Sequence, residues 1–480
     1  MSKEIVFART SSEAQGISST AIQSFVDSIE AAGIEMHSLM LVRHGNVVAE
    51  GWWTPYAAER QHVLFSLSKS FTSTAAGLAV HEGLLGLDDL VISYFPDYLP
   101  TVVSDNLGKM RVRDLLSMST GHSEDTLPGF FRNKMTGWES HFLAMEVAHE
   151  PGTHFLYNSG ATYMVASIVT KVTGMSLTEY LTPRLFEPLG IVDPWWEKSP
   201  TGVDVGGWGL NIRTEDIAKF GQLYLQKGRW GDRQLIPESW VDTATSSHIS
   251  NGDNPESEWN QGYGFQFWMC RHNAYRGDGA FGQFCVVMPE QDAVFAATGG
   301  TGDLQGVLNR VWEHLLPSMS AVAKDEDPAA LAAMRSRLGR LKLPIVDGRP
   351  NSPYEDAVSG KTYLFDENED GWKSVTATFV DGACDIEIDY GSGIHSIPIA
   401  GTEWSEVTVD VSAGDVNGPY PCAVSGAWVD PKTYVVKLCS YLTPFSSTFE
   451  FRFDEGGGMT LDRRLNVSFG PVERKQLVAR

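Results

Sequence analysis

Between residues 66 and 80 the chain reads SLSKSFTSTAAGLAV, a stretch of small and apolar residues with a single charge, Lys69. A helix without a polar face belongs in a core. A lysine placed there loses the hydration of its charged form, so its presence needs a reason. Ser66 and Lys69 stand three apart and share one helical face. The first turn of a helix carries a positive field that favours a developing anion. A desolvated lysine has a lowered pKa and can hold or accept a serine proton. The pattern predicts a helix over 66–80 that presents a nucleophile beside its activator. Taken alone, the same letters also describe a capping serine followed by a snorkelling lysine. The rest of the chain has to decide.

Two downstream segments bear on the choice. Tyr157-Asn158-Ser159-Gly160 precedes a second apolar helix pattern, ATYMVASIVTKVTG. A tyrosine on that turn can project its hydroxyl into a cleft. Beside an ammonium its pKa would fall, and it could act as a general base. An isolated tyrosine is more commonly a core residue with a satisfied hydroxyl. The second segment, Tyr275-Arg276-Gly277-Asp278-Gly279-Ala280-Phe281-Gly282-Gln283, runs into the strand pattern FCVVMPEQDAVFAATG. Glycines beside a strand let a substrate backbone approach and leave an N–H free to donate. Such an N–H, with that of Ser66, would form an oxyanion hole.

Ser66-Leu67-Ser68-Lys69, Tyr157-Asn158-Ser159 and Gly277-Asp278-Gly279 occur in the order found in serine β-lactamase/penicillin-binding-protein-like hydrolases, and the chain resembles that family. The branch is the one holding class C β-lactamases, family VIII esterases, D-aminopeptidases and 6-aminohexanoate-dimer hydrolase. The flanking text VRDLLSMSTGH, GWGLNIRTEDIAKFGQLYLQKGRW and FGQFCVVMPEQDAVFAATGG is similar as well, and the resemblance spans residues ~18–318. It implies an α+β domain in which an antiparallel sheet with helices meets an all-helical lobe. It implies Ser66 as the acylated nucleophile, with Lys69 and Tyr157 sharing the base and acid roles. The backbone N–H groups of Ser66 and Ala280 would hold the oxyanion, and Ser159, Gly277, Asp278 and Gly279 would line the substrate. No metal or other cofactor is implied. Two departures stand out. Gly277 occupies the place of the lysine in the Lys-Thr-Gly triad, leaving Arg276 or His272 as replacement cations, and the Tyr-x-Asn pattern ends in Ser159. Both favour an esterase or D-amino peptidase over a β-lactamase or D,D-carboxypeptidase. A non-catalytic ligand-binding relative is the reading from another class.

At 480 residues the chain is too long for one ordinary core. The expected organisation is a hydrolase domain over 1–325, a helical linker over 326–344 and a β-rich accessory domain over 345–480. In that last part helical periodicity gives way to alternating segments such as SVTATFV, CDIEIDY and STFEFRFD. Their spacing predicts an all-β barrel, lipocalin-like in outline, or a sandwich. A net charge of −23 argues against nucleic acid or an anionic membrane as partner. The expected partner is a small-molecule or peptide substrate, with homo-oligomers left open. No signal-peptide h-region and no membrane-length apolar run is visible. Five cysteines without ligand spacing read as reduced thiols in a cytoplasmic protein. Gly277–Gly282 matches GxGxxG but opens no βαβ unit, so it does not read as a dinucleotide site. The pair His149 and His154 lacks the HExxH spacing of a zinc helix.

Overall fold

The structure, a computed structural model, describes residues 7–132, 137–410 and 419–479. It divides into two compact units. The first comprises residues 1–51, 58–299 and 303–340, and the second residues 52–57, 300–302 and 341–480.

The first unit is built on a seven-stranded sheet. In chain order its strands are β1 (Ala8–Arg9), β2 (Met36–Arg43), β3 (Asn46–Trp52), β4 (Trp268–Met269), β5 (Tyr275–Gly279), β6 (Gln283–Met288) and β7 (Ala293–Gly299). The order across the sheet is β1-β3-β2-β7-β6-β5-β4, with β1 parallel to β3 and the ladders from β2 to β4 antiparallel. His44 and Gly45, both at positive φ, close the β2–β3 hairpin with the turn that matches strand twist. Strands β2, β6 and β7 are buried at every position. Such continuous burial requires cover on both faces. Helix α1 (Ser19–Ala31) covers one face, where Phe25 meets Phe295 edge-to-face at 5.5 Å. A later helix over Thr214–Leu225 covers the other. There Gly221 lies so close to Val294 and Cys285 that an added Cβ would stand 2.5 and 2.9 Å from their side chains. Consecutive residues Val294 and Phe295 thus serve opposite layers, as strand alternation requires.

The predicted 66–80 helix begins as a 3-10 turn, Phe65–Leu67, and continues as α2 (Ser68–His81). Helix α3 (Ser159–Thr173) packs beside it, α4 denotes the Thr214–Leu225 helix, and α5 (Pro328–Leu338) follows the sheet. Asp216 accepts the Arg213 N–H at 3.1 Å and so closes the first turn of α4. Residues 326–344, expected as a linker, hold α5, which lies along α1 within the first unit. Gln23 Nε2 donates to Ala330 O at 3.2 Å, and Arg337 pairs with Asp27 at 3.3 Å and with Glu30.

The second unit is strand-rich. A four-stranded antiparallel sheet contains β8 (Thr362–Leu364), β9 (Ser374–Val380), β10 (Ala383–Asp389) and β11 (Ile394–Ile399). A six-stranded one contains β12 (Ser405–Asp410), β13 (Pro419–Asp430), β14 (Thr433–Cys439), β15 (Ser446–Phe453), β16 (Met459–Leu465) and β17 (Leu477–Ala479). Inward side chains of both share one core. Phe379 of β9 lies 4.9 Å from Trp428 of β13 and from Tyr434 of β14, and Trp372 stacks on Phe449 at 6.1 Å. Among the described residues no ladder closes the two sheets into a barrel, although an isolated bridge, Phe365–Ala479, joins an edge of each. All five cysteines are buried and free. No helix among the described residues is long and apolar enough to cross a membrane.

Candidate active site

Ser66 sits in the turn that leads into α2, immediately after Phe65, whose φ of 46° is unusual for a residue with a side chain. Lys69 follows one turn later and is 1% exposed. Its Nζ lies 3.1 Å from Ser66 Oγ, 3.1 Å from Ser159 Oγ and 2.6 Å from Gly207 O. Burial pushes this lysine down to about 7, against the opposing pull of the Asp125 and Asp278 carboxylates. The neutral amine keeps two N–H donors and one lone pair. Gly207 O can only accept and Ser159 Oγ can accept, so the lone pair falls to Ser66.

The contact with Gly207 belongs to a strap that runs over α2. Thr72 Oγ1 donates to Gly206 O at 2.8 Å, and Leu210 N donates to Ser68 Oγ at 3.0 Å. These bonds explain the small and hydroxylated residues of the predicted helix: they dock a second chain segment along its length. On the other side, Asn158 caps α3 and its Oδ1 accepts from Gly160 N at 3.0 Å and from Thr126 Oγ1 at 2.8 Å. Capping fixes the position of Ser159, whose N–H donates to Asp125 Oδ1 at 3.1 Å.

Tyr157 is half-buried and stacks on Trp268 at 5.2 Å, and Lys69 Nζ stands 4.9 Å from the centre of its ring. Its hydroxyl meets Ser66. The expected fall in its pKa is not found. Desolvation first, and then the Asp278 carboxylate, push the phenol above its usual range, and the hydrogen bond with Ser66 only partly offsets them. Lys69, itself pushed down to about 7, is largely neutral wherever the phenol would ionise and so offers no offset.

Strand β5 completes the cluster. Gly277 and Gly279 face the Ser66 turn and helix. A Cβ on Gly277 would stand 2.5 Å from both Ser70 Oγ and Leu67 Cδ1, and one on Gly279 would stand 2.0 Å from Leu64 O. Close packing of strand on turn therefore accounts for both glycines. Ala280 follows at the turn, where Phe281 meets Phe65 edge-to-face at 5.6 Å. Gln283 Nε2 donates to Ala280 O at 2.9 Å and to Gly299 O at 3.0 Å, fixing that peptide. Beyond Arg276 the outer edge of β5 has no ladder partner among the described residues.

Arg276 and Asp278 occupy the opposite face of β5. Arg276 is fully buried, with its guanidinium 4.7 Å from the Trp259 ring and 5.6 Å from the Trp268 ring. It donates to Asp278 Oδ2 at 2.9 Å and to Glu258 O at 3.0 Å. It is therefore not a free cation for a substrate carboxylate. His272 sits in a turn at positive φ, 5.2 Å from the Trp312 ring. Asp125, Gly207 and Gln283 were not singled out by sequence. Asp125 lies in an irregular segment without periodicity, and only the FGQ text of the closing hairpin pointed toward Gln283.

The comparisons with known proteins fall on the same part of the chain. A 6-aminohexanoate-dimer hydrolase of Paenarthrobacter ureafaciens is 24% identical over 283 residues, 54% of this chain and 70% of that protein. Lovastatin esterase of Penicillium rubens is 30% identical over 152 residues, 27% of this chain and 38% of that protein. Among solved structures, the octameric penicillin-binding protein homologue from Pyrococcus abyssi shares the fold, with a TM-score of 0.51 at 16% identity over 96% of this chain and 99% of that one. The Beta-lactamase family model matches residues 21–302. That span is more than half the chain and contains the Ser66 turn, the Asn158 cap and strand β5, so the chain belongs to the beta-lactamase family.

Proposed function

We propose that this family member hydrolyses esters or amides through an acyl-enzyme on Ser66, in the manner of an esterase or D-amino peptidase. The observation that carries the proposal is the buried Lys69, whose nitrogen lies 3.1 Å from Ser66 Oγ and is pushed down to about 7. The Ser66 hydroxyl proton passes to the Lys69 lone pair as Oγ bonds to the substrate carbonyl carbon. The N–H groups of Ser66 and Ala280 hold the resulting oxyanion. Collapse breaks the bond to the leaving oxygen or nitrogen, which takes a proton from Lys69 through the neutral Tyr157 hydroxyl. Water then attacks the Ser66 ester and passes a proton to Lys69 along the same route; on collapse the Oγ–acyl bond breaks, Lys69 returns the proton to Ser66 Oγ and the acid is released. The open edge of β5 offers backbone groups to an extended substrate. Lys69 is the base in this scheme, and Tyr157 serves as a neutral donor and conduit.

All of these groups lie in the first unit, which supports an accessory role for residues 345–480. The five buried thiols support a cytoplasmic setting. The octameric homologue gives homo-oligomeric assembly a precedent. The test is turnover of p-nitrophenyl esters and of D- and L-aminoacyl anilides by wild type and Ser66→Ala. Turnover by wild type alone supports the reading. Equal turnover by both removes it.

A further inference from the structure

Phe65 and Phe281 share two properties. Each sits at positive φ, 46° and 67°, and their rings meet edge-to-face at 5.6 Å. The left-handed region crowds a Cβ against the backbone, and Asn, Asp and His tolerate it better than a bulky side chain does. Among the described residues phenylalanine adopts it at these two positions alone, and these are the two whose rings touch. Such conformations persist where the surroundings fix them, and they gather at functional sites.

Each of the two stands next to a proposed oxyanion donor. The Ser66 N–H belongs to the peptide that joins Phe65 to Ser66, so the Phe65 backbone sets its direction. The Ala280 N–H shares a peptide with Gly279 O, which accepts Gly282 N at 3.3 Å. That bond closes the turn 279–282, and the third residue of such a turn, here Phe281, supplies the positive φ that brings the chain back. Gln283, fully buried, secures the same turn with both ends of its amide. Its Nε2 donates to Ala280 O at 2.9 Å and to Gly299 O at 3.0 Å, and its Oε1 accepts Gly299 N at 3.3 Å. Ser66 and Ala280 themselves stay partly exposed, as groups that meet a substrate must. Two links join the segments that carry them: the packing of Gly279 on Leu64, and the ring contact. Only the ring contact is made by the strained residues themselves.

We propose that Phe65 and Phe281 are positioning residues, whose ring contact locks two left-handed backbones together and so fixes the spacing and aim of the Ser66 and Ala280 N–H groups. The inference rests on the hydrolase reading above. Its physical basis is that donors stabilise a developing oxyanion in proportion to how well they are fixed before the reaction. Without its ring partner each strained backbone relaxes, and the donor beside it turns away.

The experiment compares p-nitrophenyl butanoate with its thiono counterpart, in which sulfur replaces the carbonyl oxygen. Both release p-nitrophenol, and the larger sulfur is the poorer fit to two N–H groups set for oxygen. Each kcat/KM, measured on the full-length chain, is divided by the rate of the same ester with hydroxide, so the ratio reads the site. Wild type is expected to favour the oxoester by at least ~100-fold. Phe65→Leu and Phe281→Leu are each expected to shrink that preference by about tenfold or more, and the double variant little further, since all three break one contact. Lost stability lowers both rates together and leaves the ratio alone, so thermal melts need only show that the variants fold. A wild-type ratio near one overturns the proposal, and so does an unchanged ratio in the folded variants. Losses that multiply in the double variant overturn it as well, because the rings then act separately. If none of the three variants folds, the contact is a scaffold and the positioning role is overturned. Oxoester turnover that persists in Ser66→Ala, or is absent from wild type, overturns the hydrolase reading itself and the positioning with it.

Discussion

Lys69 Nζ lies 3.1 Å from Ser66 Oγ, and the same nitrogen reaches Gly207 O at 2.6 Å. The second contact gives the first its direction. A carbonyl can only accept, so it occupies one N–H of the amine and helps turn the lone pair toward the serine.

The pH dependence follows from this geometry. Lys69 must be neutral to take the proton, and burial places it at about 7 instead of the usual 10.5. Below that pH the amine is protonated and the base is lost. We expect kcat/KM to rise about tenfold per pH unit up to a bend near pH 7 and then to level off. The phenol of Tyr157 is held above its usual range, so no alkaline fall from its ionisation is expected below about pH 10. A stopped-flow or initial-rate profile on a neutral ester measures both limbs.

Asp125 tunes that bend. Its carboxylate favours the ammonium form of Lys69, and its Oδ1 accepts the Ser159 and Leu127 N–H groups at 3.1 and 3.0 Å. Asp125→Asn retains an acceptor oxygen and removes the charge. The ammonium is then less favoured, and the acidic limb should move to lower pH by up to about one unit. A limb that stays in place, or moves upward, would show that Asp125 does not act on Lys69.

Gly279→Ala probes the packing of strand on turn. The new Cβ would meet Leu64 O at 2.0 Å, and a backbone carbonyl cannot rotate aside as a side-chain end can. Overpacking of this kind costs about 1–3 kcal/mol. Because the strain falls two residues before Ser66, the loss in kcat should exceed what the drop in thermal stability explains. Calorimetry alongside kinetics separates the two.

Lys69→Ala and Tyr157→Phe should each remove most activity, with the double variant barely worse than either. The two groups are proposed to serve one proton path, and such losses do not add. Defects that multiply would place Tyr157 in a separate role, such as substrate binding.

Much of this arrangement was legible in the sequence. Lys69 was conspicuous because a lone charge in an otherwise apolar helix needs a reason, although a snorkelling lysine fitted the same letters until the downstream segments were added. The glycines at 277 and 279 marked a close approach, although the sequence suggested a substrate on the far side and the structure supplies Ser70, Leu67 and Leu64. The strand pattern from Ser374 onward predicted a second core. What escaped were partners fixed only by tertiary folding. Gly207 and Asp125 come from irregular segments, and nothing local distinguishes the carbonyl or carboxylate that meets the lysine. The direction of the Tyr157 shift was misjudged for a related reason: desolvation and the Asp278 carboxylate, both set by tertiary folding, hold the phenol neutral, and the lysine expected to offset them is itself pushed down.

The central claim is that Ser66 is the nucleophile activated by Lys69. The most direct measurement is intact-mass and peptide-map analysis after exposure to a fluorophosphonate at pH 8. The account predicts a single adduct on the peptide containing Ser66, formed more slowly at pH 6 in proportion to the protonation of Lys69, and absent from Lys69→Ala on the same timescale. Labelling at another residue, or labelling of Ser66 at an undiminished rate without Lys69, would contradict it.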